Sequence, residues 1–237
     1  DKADKIGGNL AAYAANDLAR PADLQSVIDY YGVMAKKLGV EVRLNTLADT
    51  KFMRSVLHDF DVCIVAAGAR TDMAVFQYLE GADLLVDALE VAHGRFKPGK
   101  RVVMIGGGMI GLTISEFLAK AGHEVTVVEK DKRIGGDIMP TFKWRHTAWV
   151  DELGIKTVTS AQLVKVSKEG ATVKTAKGEE KFIPADSVIV SSPRKANHDL
   201  FYDFQWMVDE LHGGGDATVP RGLDQAIQEG YRLGCRI

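Results

Sequence analysis

Apolar residues recur along the chain at two spacings, which predict alternating helices and strands. Between residues 21 and 38 they fall three or four positions apart along one face, which predicts a helix ended by Gly39. Predominantly apolar runs instead predict buried parallel strands, as at residues 102–105, 125–128 and 187–190. The chain therefore reads as an α/β protein.

The remaining elements follow from shorter runs and from the turn residues between them. Further strands are predicted at residues 40–44, 60–66, 155–158, 163–167, 171–175 and 180–183. Further helices are predicted at residues 50–57, 84–93, 144–153 and 222–233. Residues 9–19 are alanine-rich and are expected to form a short helix or an irregular segment.

A glycine-rich bend, residues 106–111, separates the predicted strand 102–105 from an amphipathic helix. Gly106 permits a tight turn, Gly108 lets the main chain approach a diphosphate, and Gly111 lets the helix pack closely on the strand. The unpaired N–H groups at the helix start favour the phosphate charge. The predicted dinucleotide contacts in this glycine bend are Gly106, Gly107, Gly108, Met109, Ile110 and Gly111.

Glu129 ends the strand that follows, eighteen residues after Gly111. At about this spacing a carboxylate reaches the hydroxyls of an adenosine ribose. Glu129 and the adjacent Lys130 are therefore predicted to contact the cofactor. The carboxylate favours NADH because a 2′-phosphate would face it, although Lys130, Lys132 and Arg133 would soften that rejection.

Part of the sequence repeats. Residues 1–8, DKADKIGG, resemble residues 129–136, EKDKRIGG, and two later blocks recur in the same order: residues 38–40 with 153–155, and residues 61–65 with 186–190. The repeat predicts two related nucleotide-binding halves. Because the first half begins at its acid, Asp1, we expect a strand-loop-helix-strand unit of roughly 30 residues upstream of it.

Two glycine-containing turns add candidates to the first half. The predicted strand 60–66 runs into Ala67, Gly68 and Ala69, which would bring the main chain close to a nucleotide. Three glycines precede Asp216 just before the last predicted helix, and the alternative for Asp216 is a helix-capping residue in a surface turn.

Composition and charge exclude several functions. Thirty basic and 32 acidic residues leave a net charge of −2, which gives no support for a nucleic-acid partner. No apolar run approaches a membrane span and the N-terminus lacks a signal-peptide core, so we expect a cytoplasmic protein. The two cysteines, Cys63 and Cys235, form no C-x-x-C motif, which argues against a redox disulfide or a metal site.

With these motifs, the chain resembles the pyridine-nucleotide-dependent flavoprotein superfamily. More narrowly, it is similar to the C-terminal half of the 2,4-dienoyl-CoA reductase and trimethylamine dehydrogenase group, the NADH:flavin oxidoreductases. The residues that carry the resemblance are 6–10, 63–69, 102–129, 215–217, 220–221 and 226–230. It implies two Rossmann-like dinucleotide-binding domains. Residues 1–95 and 195–237 would form a partial FAD- or ADP-binding domain, and residues 96–194 an inserted NAD(P)H-binding domain.

The resemblance also implies site residues. Asp1 would hold the adenosine ribose, and Asp216 would contact the ribityl or phosphate part of FAD. The other implied FAD contacts are Gly7, Gly8, Ala67, Gly68, Ala69 and Gly215. Because the first glycine loop is missing, this fragment is expected to hold FAD weakly or not at all. FMN and a 4Fe-4S cluster are expected only in an upstream barrel domain of the same polypeptide.

Two functions follow from the resemblance. The first is an electron-input module that binds NAD(P)H and passes hydride to FAD, with no side chain required as an acid or base. The second is a structural ADP-binding module, which Thr113 favours because many nicotinamide-using relatives carry Glu there. A homo-oligomer is left open.

Overall fold

The computed structural model describes residues 1–17 and 20–237. The helices are α1 (Gly8–Asn16), α2 (Pro21–Lys37), α3 (Thr50–Val56), α4 (Ala88–Ala92), α5 (Met109–Lys120), α6 (Pro140–Glu152), α7 (Asp199–Phe204) and α8 (Leu223–Gly234). The strands are β1 (Val62–Val65), β2 (Ala69–Thr71), β3 (Leu85–Asp87), β4 (Arg101–Ile105), β5 (Glu124–Val128), β6 (Lys156–Val158), β7 (Ala161–Ser167), β8 (Gly170–Thr175), β9 (Glu180–Pro184), β10 (Ser187–Val190), β11 (Arg194–Ala196) and β12 (Glu210–Gly213).

Contacts divide the chain into two units. Unit 1 comprises Asp1–Gly8, Ile28–Arg70 and Arg194–Ile237, and unit 2 comprises Asn9–Val27 and Thr71–Pro193. The predicted domains differ from this division because they assign residues 9–27 and 71–95 to the first domain. The prediction concerns the cofactor that each part binds, and it stays a prediction.

Unit 2 is built on a five-stranded parallel sheet with the order β3-β10-β4-β5-β6. Alternate residues of β4 enter two cores: Val102 and Met104 pack with α5, whereas Val103 and Ile105 pack with the antiparallel sheet β7-β8-β9. Both faces of the parallel sheet are therefore covered, as its predominantly apolar strands predicted. The predicted α/β class with a Rossmann-like parallel sheet is confirmed.

Unit 1 contains two pairs of strands. β1 pairs in parallel with β12, and β2 pairs with β11. Helix α3 packs against α7, and α8 packs against the short 3-10 helix Gly215–Ala217. The parallel pair carries the two turns that the sequence singled out in this half.

Two predicted elements are wrong. Residues 84–93 are not one helix: β3 pairs with β10 and only Ala88–Ala92 is helical, because Asp87 accepts a hydrogen bond from Leu89 N–H (2.9 Å) and starts the helix there. Residues 40–44 form no strand: Val40 N–H donates back to Ala35 O of α2 (2.9 Å), and Arg43 O accepts from Asp1 N (2.7 Å).

Most other predicted elements are confirmed within one to four residues. For residues 9–19 the sequence left a short helix or an irregular segment open, and the structure has the helix, α1, as far as Asn16. Residues 18 and 19 lie outside the described residues. Within residues 1–17 and 20–237, no helix has the length and apolar character to cross a bilayer.

Candidate dinucleotide site

The glycine bend lies at the carboxyl ends of β4 and β5. Gly106 has φ 103°, a conformation that favours glycine, and its N–H donates to Val128 O at 2.9 Å. Helix α5 then begins at Met109. Its N-cap residue is Gly108, which has no side chain that could cap the helix. The bend therefore places the start of α5 at the edge of the sheet where ligands bind in open α/β folds.

Gly111 brings α5 against the bend. A Cβ atom added at Gly111 would lie 1.9 Å from Gly106 O and 2.7 Å from Ser191 Oγ, so that any larger residue would push the helix off the bend. The spacing of Gly106 and Gly111 thus has a steric cause in this structure.

The Glu129 carboxylate faces the bend and is held from two sides. Gly107 N–H donates to Oε2 at 2.6 Å and Asp131 N–H donates to Oε1 at 3.0 Å, and the residue is only 9% exposed. Each carboxylate oxygen keeps a further lone pair for a ribose hydroxyl. Lys130, by contrast, is exposed and takes part in none of the ion pairs among the residues described.

Ser191 is a residue of this site that the sequence analysis missed. It is 3% exposed, and its Oγ lies 3.2 Å from Ile105 O and 3.1 Å from Gly106 O, to which it donates. β10 is paired with β4 and carries Ser191 to the bend from some 85 residues away in the chain. The available signal was a small hydroxyl residue directly after the buried run of β10.

Asp137 is a second residue that was missed. Its Oδ1 accepts a hydrogen bond from Met109 N–H at 2.9 Å, and its carboxylate oxygens lie 2.7 and 2.9 Å from a Cβ built on Gly108. Asp137 lies in a loop whose Gly135 N–H donates to Gly107 O at 2.6 Å. A carboxylate thus occupies the space that Gly108 leaves open.

A buried pair joins the helix of the bend to α6. His146 Nδ1 lies 2.8 Å from Glu116 Oε1, and both side chains are almost fully buried. Burial raises the pKa of Glu116. For His146, burial lowers the pKa, but the hydrogen bond and charge of Glu116 outweigh it and the pKa is raised overall. The pair fixes α6, and with it the loop of Asp137, relative to α5.

The predicted residues of unit 1 fall into two places. Val65 of β1 is paired with Gly213 of β12, and Gly214 N–H donates to Val65 O at 3.1 Å. Because the strands are parallel, residues 67–69 and Gly215–Ala217, which we call the unit 1 turns, follow the same end of this pair. The structure therefore brings Ala67, Gly68 and Ala69 to the same end as Gly215 and Asp216.

Each of the unit 1 turns is held by other residues of the unit. Asn197 Nδ2 donates to Ala67 O at 2.8 Å, and Arg194 Nη2 donates to Ala69 O at 2.7 Å. Glu229 accepts from Gly215 N–H at 2.8 Å and pairs with Arg221, which lowers the pKa of Glu229. Arg221 and Glu229 belong to the ranges that carry the family resemblance, whereas Arg194 and Asn197 were not singled out from the sequence.

Asp216 and Asp1 make local contacts. The Asp216 carboxylate accepts from Arg221 N–H at 3.0 Å, a bond that a turn-capping aspartate would also make. Asp1 is exposed, and its Oδ1 accepts from Ala3 N–H at 2.8 Å. Gly7 (φ 108°) and Gly8 (φ 51°) then turn the chain into α1. The contacts of Asp1 run to residues 43–46 and do not reach the unit 1 turns.

Among the described residues, no metal site competes with these assignments. In the part of the chain that the structure describes, no three His, Cys, Asp or Glu side chains are grouped so that they can hold an ion. Cys63 is half-buried and Cys235 is exposed, and both are free. Burial raises the pKa of the Cys63 thiol, which makes it a poor nucleophile.

Comparison with known proteins gives a family match and several relatives. The family model described as pyridine nucleotide-disulphide oxidoreductase matches residues 31–215. A metal reductase of Desulforamulus reducens is 26% identical over 98% of this chain and 39% of its own. A cinnamate reductase of Clostridium sporogenes is 27% identical over 98% of this chain and 34% of its own.

A solved structure of 2-naphthoyl-CoA reductase with 2-naphthoyl-CoA is similar over the whole chain. It superimposes with a TM-score of 0.92 at 29% identity and covers 100% of this chain, which spans 35% of that protein. The chain thus spans little more than a third of the length of the proteins it matches.

Proposed function

The chain belongs to the pyridine nucleotide-disulphide oxidoreductase family, and from this premise we propose that it is the electron-input part of a flavin-dependent oxidoreductase. It binds NAD(P)H and passes reducing equivalents to FAD, for onward transfer to an iron-sulfur and FMN half of an enoate-reductase-like or amine-dehydrogenase-like enzyme. The observation that carries the proposal is the glycine bend with the Glu129 carboxylate held at its edge (Gly107 N to Oε2, 2.6 Å).

The residues of the bend fit a dinucleotide. The N–H groups at the start of α5 receive the diphosphate, and the free lone pairs of Glu129 receive the adenosine ribose. Lys130 contacts the cofactor from the exposed side. When bound, nicotinamide supplies a hydride and flavin accepts it, while the protein aligns the two and excludes water. No side chain is assigned as an acid or base.

NADH is the proposed cofactor. Two main-chain N–H groups hold the Glu129 carboxylate in place, so it cannot easily turn away from a 2′-phosphate. We expect a higher kcat/KM for NADH than for NADPH, and the conservative variant Glu129→Gln narrows the difference. Equal kcat/KM values for the two cofactors in the unsubstituted protein would contradict this role of Glu129.

FAD is proposed to bind unit 1. The unit 1 turns, with Gly68 and Asp216, and the residues Asp1, Gly7 and Gly8 are the proposed contacts. In this proposal residues 1–95 and 195–237 serve FAD or ADP, residues 96–194 serve NAD(P)H, and FMN and the 4Fe-4S cluster lie upstream. A cytoplasmic location and self-association stay predictions.

A structural nucleotide-binding module is the second candidate. It is favoured by Thr113, a buried residue whose Oγ1 contacts Met109 Sδ at 3.9 Å and which supplies no carboxylate on the helix of the bend. Anaerobic mixing of the purified full polypeptide with NADH separates the two candidates. The electron-input function predicts bleaching of the flavin absorbance, whereas nucleotide binding without bleaching supports the structural module and contradicts electron input.

A further inference from the structure

The start of α5 is already in contact with an anionic side chain of unit 2. Asp137 Oδ1 accepts the hydrogen bond of Met109 N–H at 2.9 Å, in the first turn of the helix. We propose that Asp137 competes internally with the diphosphate of the dinucleotide and thereby sets how tightly the glycine bend binds it. This inference rests on the proposed function and adds a residue that determines affinity and selectivity.

Steric contact makes the competition direct. The Asp137 oxygens lie 2.7 and 2.9 Å from where a Cβ on Gly108 would be, so the carboxylate fills the space beside the glycine that approaches the diphosphate. The Met109 N–H is one of the few donors at this helix end that have no partner within the helix, and Asp137 now occupies it. A phosphate oxygen and the Asp137 carboxylate cannot both occupy that position, and both carry negative charge.

The main chain on both sides of Asp137 is anchored, whereas the side chain is held at the helix start by the hydrogen bond from Met109 N–H. Gly135 N–H donates to Gly107 O at 2.6 Å, and Ile138 on the other side is buried in the core of unit 2 at 5% exposure. Asp137 itself is exposed. The carboxylate therefore leaves the helix start by rotation of its side chain, and the loop remains bound to the bend.

Competition of this kind predicts selectivity for the diphosphate part of the ligand. A ligand that carries the diphosphate has to displace Asp137, whereas adenosine, which lacks it, contacts only the Glu129 side of the bend. Removal of the Asp137 carboxylate therefore strengthens the binding of a diphosphate ligand and leaves the binding of adenosine unchanged.

The test is calorimetric titration of the full polypeptide with ADP-ribose and with adenosine. Asp137→Ala is expected to lower the Kd for ADP-ribose about two- to fivefold, the effect of one carboxylate at a helix N-terminus, and to leave the Kd for adenosine unchanged. Asp137→Asn keeps an oxygen for Met109 N–H and removes the charge, so its Kd falls between those of the two proteins. The gain in affinity of Asp137→Ala for ADP-ribose is expected to shrink at high salt, which screens the charge of the carboxylate.

Asp151→Asn is the matched control. Asp151 is exposed near the far end of α6, about 16 Å along that helix from its first residue, and its substitution changes the net charge equally. Its Kd for ADP-ribose is expected to stay within twofold of the unsubstituted protein. An equal gain in this control would assign the effect to net charge and overturn the competition.

A thermal measurement provides a second readout. Asp137→Ala is expected to lower Tm without ligand, because the helix start loses its partner, and the difference in Tm disappears at saturating ADP-ribose. ADP-ribose binding that is unchanged or weaker in Asp137→Ala would overturn the competition while leaving the proposed function intact. Absence of ADP-ribose binding in every protein, including the unsubstituted one, would contradict the proposed function and the competition together.

Discussion

The glycine bend of unit 2 and the unit 1 turns both follow parallel strands, but the sheets that hold them differ. The bend lies on a five-stranded parallel sheet that is covered on both faces. The unit 1 turns follow a two-stranded parallel pair, near which Phe60 and Ile64 are 58% and 41% exposed. A glycine motif is thus positioned as firmly as the sheet beneath it, and a parallel pair alone has little buried surface to stabilise it.

The largest expected difference between the two units comes from the ion pair that unit 2 buries. Unit 2 buries the pair Glu116–His146, whereas pairs in unit 1 such as Arg43–Glu41 are exposed. We expect Glu116→Ala to lower the free energy of unfolding of unit 2 by about 3 kcal/mol, because His146 loses its buried partner. Glu41→Ala, the control in unit 1, should change the free energy of unfolding of unit 1 little. Urea unfolding measures both, and equal effects would contradict the distinction.

The same pair predicts a pH dependence. Both pKa values are raised above ordinary values of 4.5 for Glu116 and 6.5 for His146, so the folded protein binds more protons than the unfolded chain. The contribution of His146 is complete below pH 6.5 and is lost as the pH rises through its folded pKa. The contribution of protonated Glu116 is likewise lost above pH 4.5. Stability should therefore fall as pH rises through neutrality, and the apolar double variant Glu116→Leu/His146→Phe should flatten this slope.

Two helical glycines test the steric role of the bend. A Cβ at Gly111 would meet Gly106 O at 1.9 Å, whereas a Cβ at Gly230 in α8 meets nothing within 4 Å. We expect Gly111→Ala to cost about 3 kcal/mol and to abolish NADH binding. Gly230→Ala should stabilise α8 by about 0.5 to 1 kcal/mol. Retention of NADH affinity in a folded Gly111→Ala protein would contradict the assignment of the bend.

Hydrogen exchange compares the two sheets without substitution. Main-chain amides of β4 (Arg101–Ile105) are expected to exchange about a hundredfold more slowly than those of β1 (Val62–Val65). The reason is that the free energy of local opening is small in weakly buried elements and approaches the global free energy of unfolding in core strands. Mass spectrometry of peptides from the two strands gives the ratio. Equal protection would show that unit 1 is as firmly held as unit 2.

Ser191 should give the smallest effect. Its Oγ donates to Gly106 O at 3.1 Å, and we expect Ser191→Ala to lower unfolding free energy by about 1 kcal/mol and to weaken NADH binding severalfold. Ser115 on α5 is the control: it is fully buried and its Oγ has no partner among the residues described. Ser115→Ala should be neutral or stabilising. The opposite order of the two variants would contradict the role given to Ser191.

Local sequence patterns predicted the glycine bend, but they did not predict the contacts that distant residues make with it. Residues 106–111 and Glu129 follow one another within a single βαβ unit, so their spacing carries the geometry. Ser191 and Asp137 reach the bend through β10 and through the loop after Gly135, and the spacing within one βαβ unit does not reveal these contacts. Residues 40–44 have the composition of a strand but lack a partner strand, and β3 is extended because β10 lies beside it.

The central claim is that the start of α5 receives a dinucleotide diphosphate while Glu129 receives its ribose. A crystal structure of the protein with ADP-ribose tests this most directly. We predict a phosphate oxygen about 3 Å from Met109 N, ribose hydroxyls on the Glu129 carboxylate, and the Asp137 side chain rotated away. ADP-ribose bound elsewhere, with Asp137 still on Met109 N–H, would contradict the account.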